Sequence, residues 1–156
     1  LFIAVFMLKY ILNMQMKKIN STDEMTDFGK KFGSFLKGGE VIELVGDVGA
    51  GKTTFTKGLA RGLGVAEAVQ SPSFTISRIY DGANFQLKHY DFYRLNEPGI
   101  IADEIADGLG DSDNITVVEW GESVKDILPE NRIKIIFKPL NEKTREVEIY
   151  NFEGEI

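Results

Sequence analysis

Hydrophobic residues after position 20 recur at the spacing of one helix face. Apolar side chains stand at positions 25, 28, 32, 35 and 36, which is the pattern of an amphipathic helix. Ser21 and Glu24 have the spacing of a capping box, a common start signal for a helix. We therefore predict a helix over about residues 22–37 that ends at the glycine pair 38–39. A second helical face follows over residues 52–63.

Short apolar runs separate these helices and predict strands. The runs are VIELV (41–45), FTISRIY (74–80), FQLKHYDFY (85–93), NITVVEW (114–120), RIKIIFK (132–138) and TREVEIYNF (144–152). A turn at residues 81–84 predicts an antiparallel hairpin between the second and third runs, and the last two runs are expected to pair across a turn at Asn141. A further helical patch covers residues 98–109. This alternation indicates an α/β fold with three layers and a mixed sheet that includes the hairpin.

The first thirteen residues, LFIAVFMLKYILN, differ from the rest of the chain because they are mostly apolar. Lys9 and Tyr10 interrupt the run, and it is shorter than the ~20 residues of a membrane span. It also lacks the charge order and cleavage site of a signal peptide. We interpret residues 1–13 as an extension outside the fold and residues 14–156 as a single domain. An amphipathic anchor is the alternative.

Composition and charge narrow the classes of function. The formal net charge is −6 and the isoelectric point is about 4.9, which argues against a protein that binds nucleic acid by itself. The sequence contains no cysteine, so disulfides and thiol chemistry are excluded, and a reducing cytoplasm fits this composition. We expect a cytoplasmic protein with no membrane contact, in which any contact with RNA depends on partners.

The segment GDVGAGKT (46–53) matches the pattern G-x-x-x-x-G-K-[ST] between a predicted strand and a predicted helix, and so predicts a P-loop NTPase fold. Glycines let successive backbone N–H groups turn toward phosphate oxygens. Lys52 is then expected to reach the β- and γ-phosphates, and the Thr53 hydroxyl to bind Mg²⁺. The alternative is a glycine-rich turn with an exposed lysine. The predicted nucleotide-binding residues are Gly46, Asp47, Gly49, Ala50, Gly51, Lys52, Thr53 and Thr54.

Two carboxylates are candidates for the catalytic groups that a P-loop enzyme needs. Glu119 ends the apolar run ITVVE, a position suited to Mg²⁺ or its water shell, although a solvated glutamate is the alternative. In LKHYDFYRL, strand alternation places His89, Asp91 and Tyr93 on one face. Asp91 could there accept hydrogen bonds from both neighbours and bind Mg²⁺ or orient a water. A polar hairpin face explains the same pattern equally well.

Two further features lie between and after these motifs. The hydroxyl-rich loop SPSFT (71–75) follows the P-loop helix, where it either senses a γ-phosphate or simply leads into a strand. Trp120 follows Glu119 directly. Buried packing is the usual role of a tryptophan, and contact with the nucleotide or a partner is the alternative.

Four segments together resemble one family. GDVGAGKTTF, SPSFT, HYDFYRL and VVEWGE occur in this order and are similar to the TsaE (YjeE) family, over about residues 21–145. The combination of H-x-D-x-Y-R with E-W is more specific than the P-loop alone. The resemblance implies a slow, Mg²⁺-dependent ATPase that works with TsaD and TsaB. TsaE proteins and these partners support threonylcarbamoylation of adenosine 37 in tRNAs that read codons starting with A. The resemblance implies that this chain contacts tRNA only through the partners.

The resemblance also implies roles for individual residues. Lys52 and Thr53 match the phosphate and Mg²⁺ residues, Asp91 the carboxylate of H-x-D-x-Y-R, and Glu119 the Mg²⁺-associated glutamate. The segment STDEM (21–25) and Arg145 fall where family members approach the nucleotide. The chain has Met25 and Ser73 where members often have threonine.

Three functions remain to be compared. The first is an ATPase in which water attacks the γ-phosphate, with either Asp91 or Glu119 positioning that water. The second is a P-loop small-molecule kinase, which needs an acceptor pocket and a lid that carries arginines, and no arginine pair predicts such a lid. The third is a GTPase or a pure binding module, but the guanine-reading N-K-x-D motif is missing.

Overall fold

A computed structural model describes residues 14–156, whose strands all belong to one sheet. The predictions for residues 1–13 lie outside this range. In chain order the elements are β1 (Met14–Ile19), α1 (Thr22–Ser34), β2 (Val41–Val45), α2 (Lys52–Gly62), β3 (Ser77–Asp81), β4 (Gln86–Asp91), α3 (Ile100–Gly108), β5 (Asn114–Glu119), a 3₁₀ turn (Gly121–Val124), β6 (Ile133–Pro139) and β7 (Arg145–Tyr150). No helix within residues 14–156 has the length and apolar character needed to cross a membrane.

The sheet has seven strands in the order β1-β7-β6-β2-β5-β4-β3. Its centre is parallel, since β2 pairs in parallel with both β5 and β6, and β4 pairs in parallel with β5. The outer pairs are antiparallel, including the β3–β4 hairpin and the β6–β7 pair. The predicted α/β fold with a mixed sheet is therefore confirmed. Because β2, β4 and β5 run the same way, their carboxyl ends meet at one edge, the usual place for a ligand.

Both faces of the sheet are covered, so the fold has three layers. In β2, Ile42 and Leu44 point into a large core formed with α1 and α2. Val41 points to the opposite face, into a smaller core formed with α3 and the 3₁₀ turn. The run VIELV therefore supplies apolar residues to both faces of the sheet, as expected for a central parallel strand, with Glu43 buried in an ion pair with Arg132.

The α1–α2 contact brings the two helix backbones unusually close. Glycines face each other across it: a Cβ atom built on Gly29 would lie 2.3 Å from the Phe55 carbonyl oxygen, and one built on Gly58 would lie 2.1 Å from the Thr26 carbonyl oxygen. Gly62 makes a similar approach to α1. Since α2 begins at the end of the P-loop, this contact fixes the direction in which the loop points.

We predict that Gly58→Ala destabilises the protein. Alanine normally gains about 1 kcal/mol over glycine inside a helix. Here the added methyl group overlaps a backbone carbonyl, and overpacking of this kind costs roughly 1–3 kcal/mol or more. We expect a net loss of roughly 2 kcal/mol in the free energy of unfolding, measured by urea denaturation.

Gly108→Ala is the matched control for this prediction. Gly108 also lies in a helix, α3, but the nearest atom to its added Cβ is the flexible Lys88 Nζ at 3.3 Å. This variant should be as stable as the wild type, or more stable by up to about 1 kcal/mol. Equal stabilities for the Gly58 and Gly108 variants would contradict close backbone packing between α1 and α2.

Two element boundaries differ from the predictions by three residues. Helix α1 ends at Ser34 rather than near residue 37, because the Glu40 carboxylate accepts hydrogen bonds from the N–H groups of Lys37 and Gly38 and fixes a turn there. Strand β3 begins at Ser77 rather than at residue 74. The Pro72 carbonyl accepts hydrogen bonds from the N–H groups of residues 75 and 76, so the SPSFT loop closes into a turn before the strand starts.

Candidate nucleotide site

The loop between β2 and α2 has the backbone conformation expected of an anion site. Gly49 and Gly51 have φ angles of 79° and 113°, in the left-handed region that favours glycine. Gly51 is the N-cap of α2, and it supplies no side chain to bond the first N–H groups of that helix. The first turn of α2 also contains no acidic residue. The positive end of α2 therefore faces the loop with its donors available for a phosphate.

Lys52 lies in this loop with its ammonium group held against the backbone. It is 5% exposed, and Nζ donates hydrogen bonds to the carbonyl oxygens of Gly46 at 2.6 Å and Asp47 at 2.9 Å. The Trp120 ring lies beside it, with Nζ 4.9 Å from the ring centroid. Aromatic faces attract cations at this range.

The charge of Lys52 is influenced by the carboxylates at the strand ends. Burial lowers the pKa of Lys52 below its ordinary value, while the negative charges of Glu119, Asp91 and Asp47 act in the opposite direction. Because those three carboxylates favour the charged form, the site combines a desolvated cation with its counter-charges. An anionic ligand would be bound at such a group more strongly than at an exposed lysine.

Glu119 and Asp91 end neighbouring parallel strands and are partners in the β4–β5 register. Each carboxylate has its own anchor. Glu119 Oε1 lies 2.9 Å from His89 Nε2, and both side chains are buried. Asp91 Oδ2 accepts hydrogen bonds from Ser73 Oγ at 2.5 Å and Ser71 Oγ at 3.4 Å. Both strands therefore deliver a fixed carboxylate to the same edge of the sheet.

The prediction that His89, Asp91 and Tyr93 share one strand face is wrong for Tyr93. Strand β4 ends at Asp91, so alternation does not continue to Tyr93, whose side chain is 51% exposed. Tyr93 instead donates its backbone N–H to Asp91 Oδ1 at 2.9 Å, an aspartate turn that ends the strand. His89 lies on the predicted face but contacts Glu119.

Lys52, Asp91 and Glu119 line a cleft beside the P-loop, and the SPSFT loop and Trp120 form one wall of it. Ser71 Oγ and Ser73 Oγ lie 2.8 Å apart, and both donate to Asp91, so the contact at position 73 depends on a hydroxyl group. Trp120 has a φ angle of 56° and is half-buried, with the Tyr93 ring centroid 4.9 Å from its own. It packs against the smaller core on one side and reaches Lys52 on the other.

A second cleft adjoins the first on the far side of the P-loop. The first cleft has a volume of about 380 Å³ and the second a volume of about 470 Å³. Gly49, Gly51 and Thr54 line both of them. Volumes of this size suit a small-molecule ligand. The lining of the second cleft includes Ser21, Thr22, Asp23, Met25 and Arg145, so the segment STDEM lies beside the P-loop.

Arg145 connects the P-loop to the β6–β7 turn. Its guanidinium donates from Nε to the Ala50 carbonyl at 3.2 Å and from Nη2 to the Gly49 carbonyl at 3.3 Å. On the other side, Nη1 donates to the Asn141 carbonyl at 2.8 Å. Arg145 thus braces the outer side of the loop. No local sequence pattern indicates these contacts, since they join residues about 95 positions apart; only the family resemblance places Arg145 near the nucleotide.

The structure brings some of the predicted site residues into one cleft and leaves others outside it. Lys52, Thr53, Asp91 and Glu119 all line one cleft. Ala50 is buried in the large core, so it can offer a ligand only its backbone. Asp47 is exposed at the rim of the loop.

The donor set fits Mg²⁺ only together with phosphate. Within residues 14–156 no three His, Cys, Asp or Glu side chains gather into a metal site of their own. Mg²⁺ commonly takes one or two protein oxygens and completes its octahedron with water and substrate phosphates. Thr53 and Glu119 supply such oxygens beside the phosphate-binding loop, so the residues present match a nucleotide-bound cation.

Comparison with known proteins gives consistent matches over most of the chain. The family model described as "Threonylcarbamoyl adenosine biosynthesis protein TsaE" matches residues 19–147. The tRNA threonylcarbamoyladenosine biosynthesis protein TsaE of Bacillus subtilis is 39% identical over 127 residues, covering 80% of this chain and 78% of that protein. The protein of the same name from Treponema pallidum is 38% identical over 133 residues, covering 83% and 95%. The crystal structure of Bacillus subtilis YdiB superimposes with a TM-score of 0.73 at 34% identity, covering 88% of this chain and 84% of that one.

Proposed function

The chain belongs to the TsaE family of tRNA threonylcarbamoyladenosine biosynthesis proteins, and on that basis we propose that it is a Mg²⁺-dependent ATPase of this tRNA-modifying machinery. It binds ATP in the two adjoining clefts and hydrolyses it slowly to ADP and phosphate. It acts in the cytoplasm with TsaD and TsaB during threonylcarbamoylation of adenosine 37, in tRNAs that read codons starting with A. It meets tRNA only through those partners, in line with its net charge of −6.

One observation carries the ATPase proposal: the buried Lys52 lies at the amino end of α2 in the same cleft as Asp91 and Glu119. A phosphate-binding loop alone would support binding. Two anchored carboxylates at the ends of adjacent strands add the groups that hold a cation and orient a water. The SPSFT loop is hydrogen-bonded to Asp91. A partner that contacts this loop can therefore influence that carboxylate.

Hydrolysis is a direct displacement at the γ-phosphorus. A water oxygen forms a bond to phosphorus, the bond to the β,γ-bridging oxygen breaks, and ADP leaves with that oxygen, while the attacking water releases one proton and becomes a hydroxyl of inorganic phosphate. Lys52 and the backbone N–H groups of the loop offset the charge that develops on the transferred group. A bound Mg²⁺ would neutralise charge on the β- and γ-phosphates. Thr53 and Glu119 would hold that cation, and Asp91 orients the attacking water.

The arginines of the cleft support a slow intrinsic rate. Arg145 is occupied by carbonyl oxygens on the outer side of the P-loop. The Arg94 guanidinium lies over the Phe74 ring, 4.4 Å from its centroid. A guanidinium that stabilises the transition state typically raises the rate of such a reaction by ~10³–10⁵-fold. A chain whose arginines are engaged in this way depends on its partners for any faster turnover.

The test is a reconstitution with purified TsaD and TsaB. With ATP and Mg²⁺ alone, this chain should release phosphate slowly without an acceptor. An immobilised copy should retain TsaD and TsaB, and the amount retained should differ between ATP and no nucleotide. Rapid phosphorylation of a metabolite by the chain alone would show a kinase instead. Absence of binding to both proteins in either nucleotide state would refute the proposed partners.

A further inference from the structure

His89 is the only histidine of the chain, and the ATPase chemistry does not require it to contact a substrate. Its side chain is fully buried. Nε2 lies 2.9 Å from Glu119 Oε1, while Nδ1 is buried and has no hydrogen-bond partner within residues 14–156. Buried polar atoms are usually hydrogen-bonded, so the burial of this ring with one nitrogen unpaired requires an explanation.

The contacts select one tautomer of the ring. With the proton on Nε2, the ring donates to the Glu119 carboxylate, and Nδ1 keeps only an unused lone pair. With the proton on Nδ1, a buried N–H would lack an acceptor, a loss of about 1–3 kcal/mol. The Nε2 lone pair would then also face a carboxylate oxygen. His89 is therefore a donor directed at Glu119 Oε1.

We propose that His89 is a positioning residue for Glu119. Its hydrogen bond fixes the carboxylate through Oε1, and Oε2 remains for the cation or a water bound to it. The inference rests on the proposed function, because it assigns Glu119 to the cation side of the site. The Glu119 carboxylate accepts no other hydrogen bond within residues 14–156, so without His89 no hydrogen bond would hold the side chain in this rotamer.

The role is specific to one of the two carboxylates. Asp91 is held independently by the hydroxyls of Ser71 and Ser73 and by a backbone N–H. Loss of the His89 donor should thus affect Glu119 and cation binding, and leave Asp91 and the nucleotide's own contacts in place. Partners that orient metal-binding residues typically contribute 10- to 100-fold in metal affinity or activity.

Two amide substitutions distinguish the effect of the hydrogen-bond donor from the effect of the volume that the ring fills. In His89→Gln, the amide nitrogen can take the position of Nε2 and donate to Glu119. In His89→Asn, the amide nitrogen reaches only the position of Nδ1. Both residues are polar, with glutamine close in size to histidine and asparagine smaller. Leu87→Ala, on the same face of β4 and fully buried, controls for a general loss of stability near the site.

Binding is measured on the full chain with ADP, which avoids hydrolysis. Electron paramagnetic resonance of Mn²⁺ gives the cation affinity in the presence of ADP, and calorimetry gives the ADP affinity without metal. His89→Asn should weaken Mn²⁺ binding by roughly tenfold or more and lower kcat more than it raises KM. His89→Gln should stay within about threefold of the wild type in both. Metal-free ADP affinity should be unchanged in both variants and in Leu87→Ala.

Several results would overturn the role of His89. Wild-type Mn²⁺ affinity in a folded His89→Asn would do so, as would tenfold weaker Mn²⁺ binding in a folded His89→Gln or an equal loss in Leu87→Ala. A wild-type chain that binds neither ADP nor Mn²⁺ would instead overturn the proposed function, and with it this inference. The two failures are therefore distinguishable before any variant is compared.

Discussion

Lys52→Met should lower the rate of ATP hydrolysis by roughly 100- to 1,000-fold, the usual cost of removing a charge-stabilising donor from a preorganised site. Methionine keeps an unbranched stem of similar length beside the Trp120 ring while removing the ammonium group. That group is buried at the amino end of α2, where burial lowers its pKa against the pull of nearby carboxylates. Phosphate release at saturating ATP and Mg²⁺ measures the effect, and calorimetry measures ATP affinity.

The fold should survive this change. Removing a desolvated cation relieves part of the cost of burying it, so thermal unfolding should stay near the wild-type temperature. Lys57→Met is the matched control, because Lys57 lies on the same helix but is exposed, and it should leave turnover unchanged. Wild-type ATP binding and turnover in Lys52→Met would show that residues 46–53 do not form the phosphate site.

Much of this fold follows from local patterns in the sequence. The run VIELV matches β2 residue for residue, and the turn at residues 81–84 gives the β3–β4 hairpin. Strand β1 has no comparable pattern. Only Ile19 of its six residues is buried, and its pairing partner β7 lies at the other end of the chain, with Met14 opposite Tyr150. A strand at the edge of a sheet is specified by its neighbour more than by its own alternation.

The candidate site likewise has one part that local sequence patterns predict and another part that they do not. Its phosphate-binding part is contiguous in sequence and consists of backbone groups, so a pattern of glycines and one lysine predicts it. The anchors of the carboxylates are distant along the chain. Ser73 is 18 residues from Asp91, and His89 is 30 residues from Glu119. Alternation correctly gives the face of His89, but the pairing of β4 with β5 decides which carboxylate the ring meets.

Separate anchors imply separate roles for the two carboxylates, which isosteric amides can test. Glu119→Gln keeps an oxygen that can accept the hydrogen bond from His89. Asp91→Asn keeps one oxygen that can accept the N–H of Tyr93, while its amide NH₂ takes the place of Oδ2 and can donate to the Ser73 hydroxyl. Each variant removes one negative charge with little change in shape. The fold should therefore persist in both, as circular dichroism and thermal unfolding would show.

We expect both variants to lose activity, but with different dependence on Mg²⁺. Glu119→Gln should lower turnover by roughly 100-fold and raise the Mg²⁺ concentration at half-maximal rate by about tenfold, since a ligand of the cation or of its water is lost. Asp91→Asn should lower turnover by a similar factor, in the range of roughly 10²–10⁴ for a lost acid–base or water-orienting group. Its Mg²⁺ half-saturation should stay near the wild-type value, because Asp91 acts on the water and not on the cation.

A Mg²⁺ titration of phosphate release distinguishes these outcomes. Glu122→Gln is the control, because Glu122 is three residues from Glu119 but exposed and paired with Lys125, so its removal should change neither parameter. An undiminished rate in either amide variant would exclude that residue from the site. A raised Mg²⁺ requirement in Asp91→Asn, with a normal one in Glu119→Gln, would exchange the two roles. In that case the cation would lie beside the Ser71–Ser73 loop, and His89 would position the residue that orients the water.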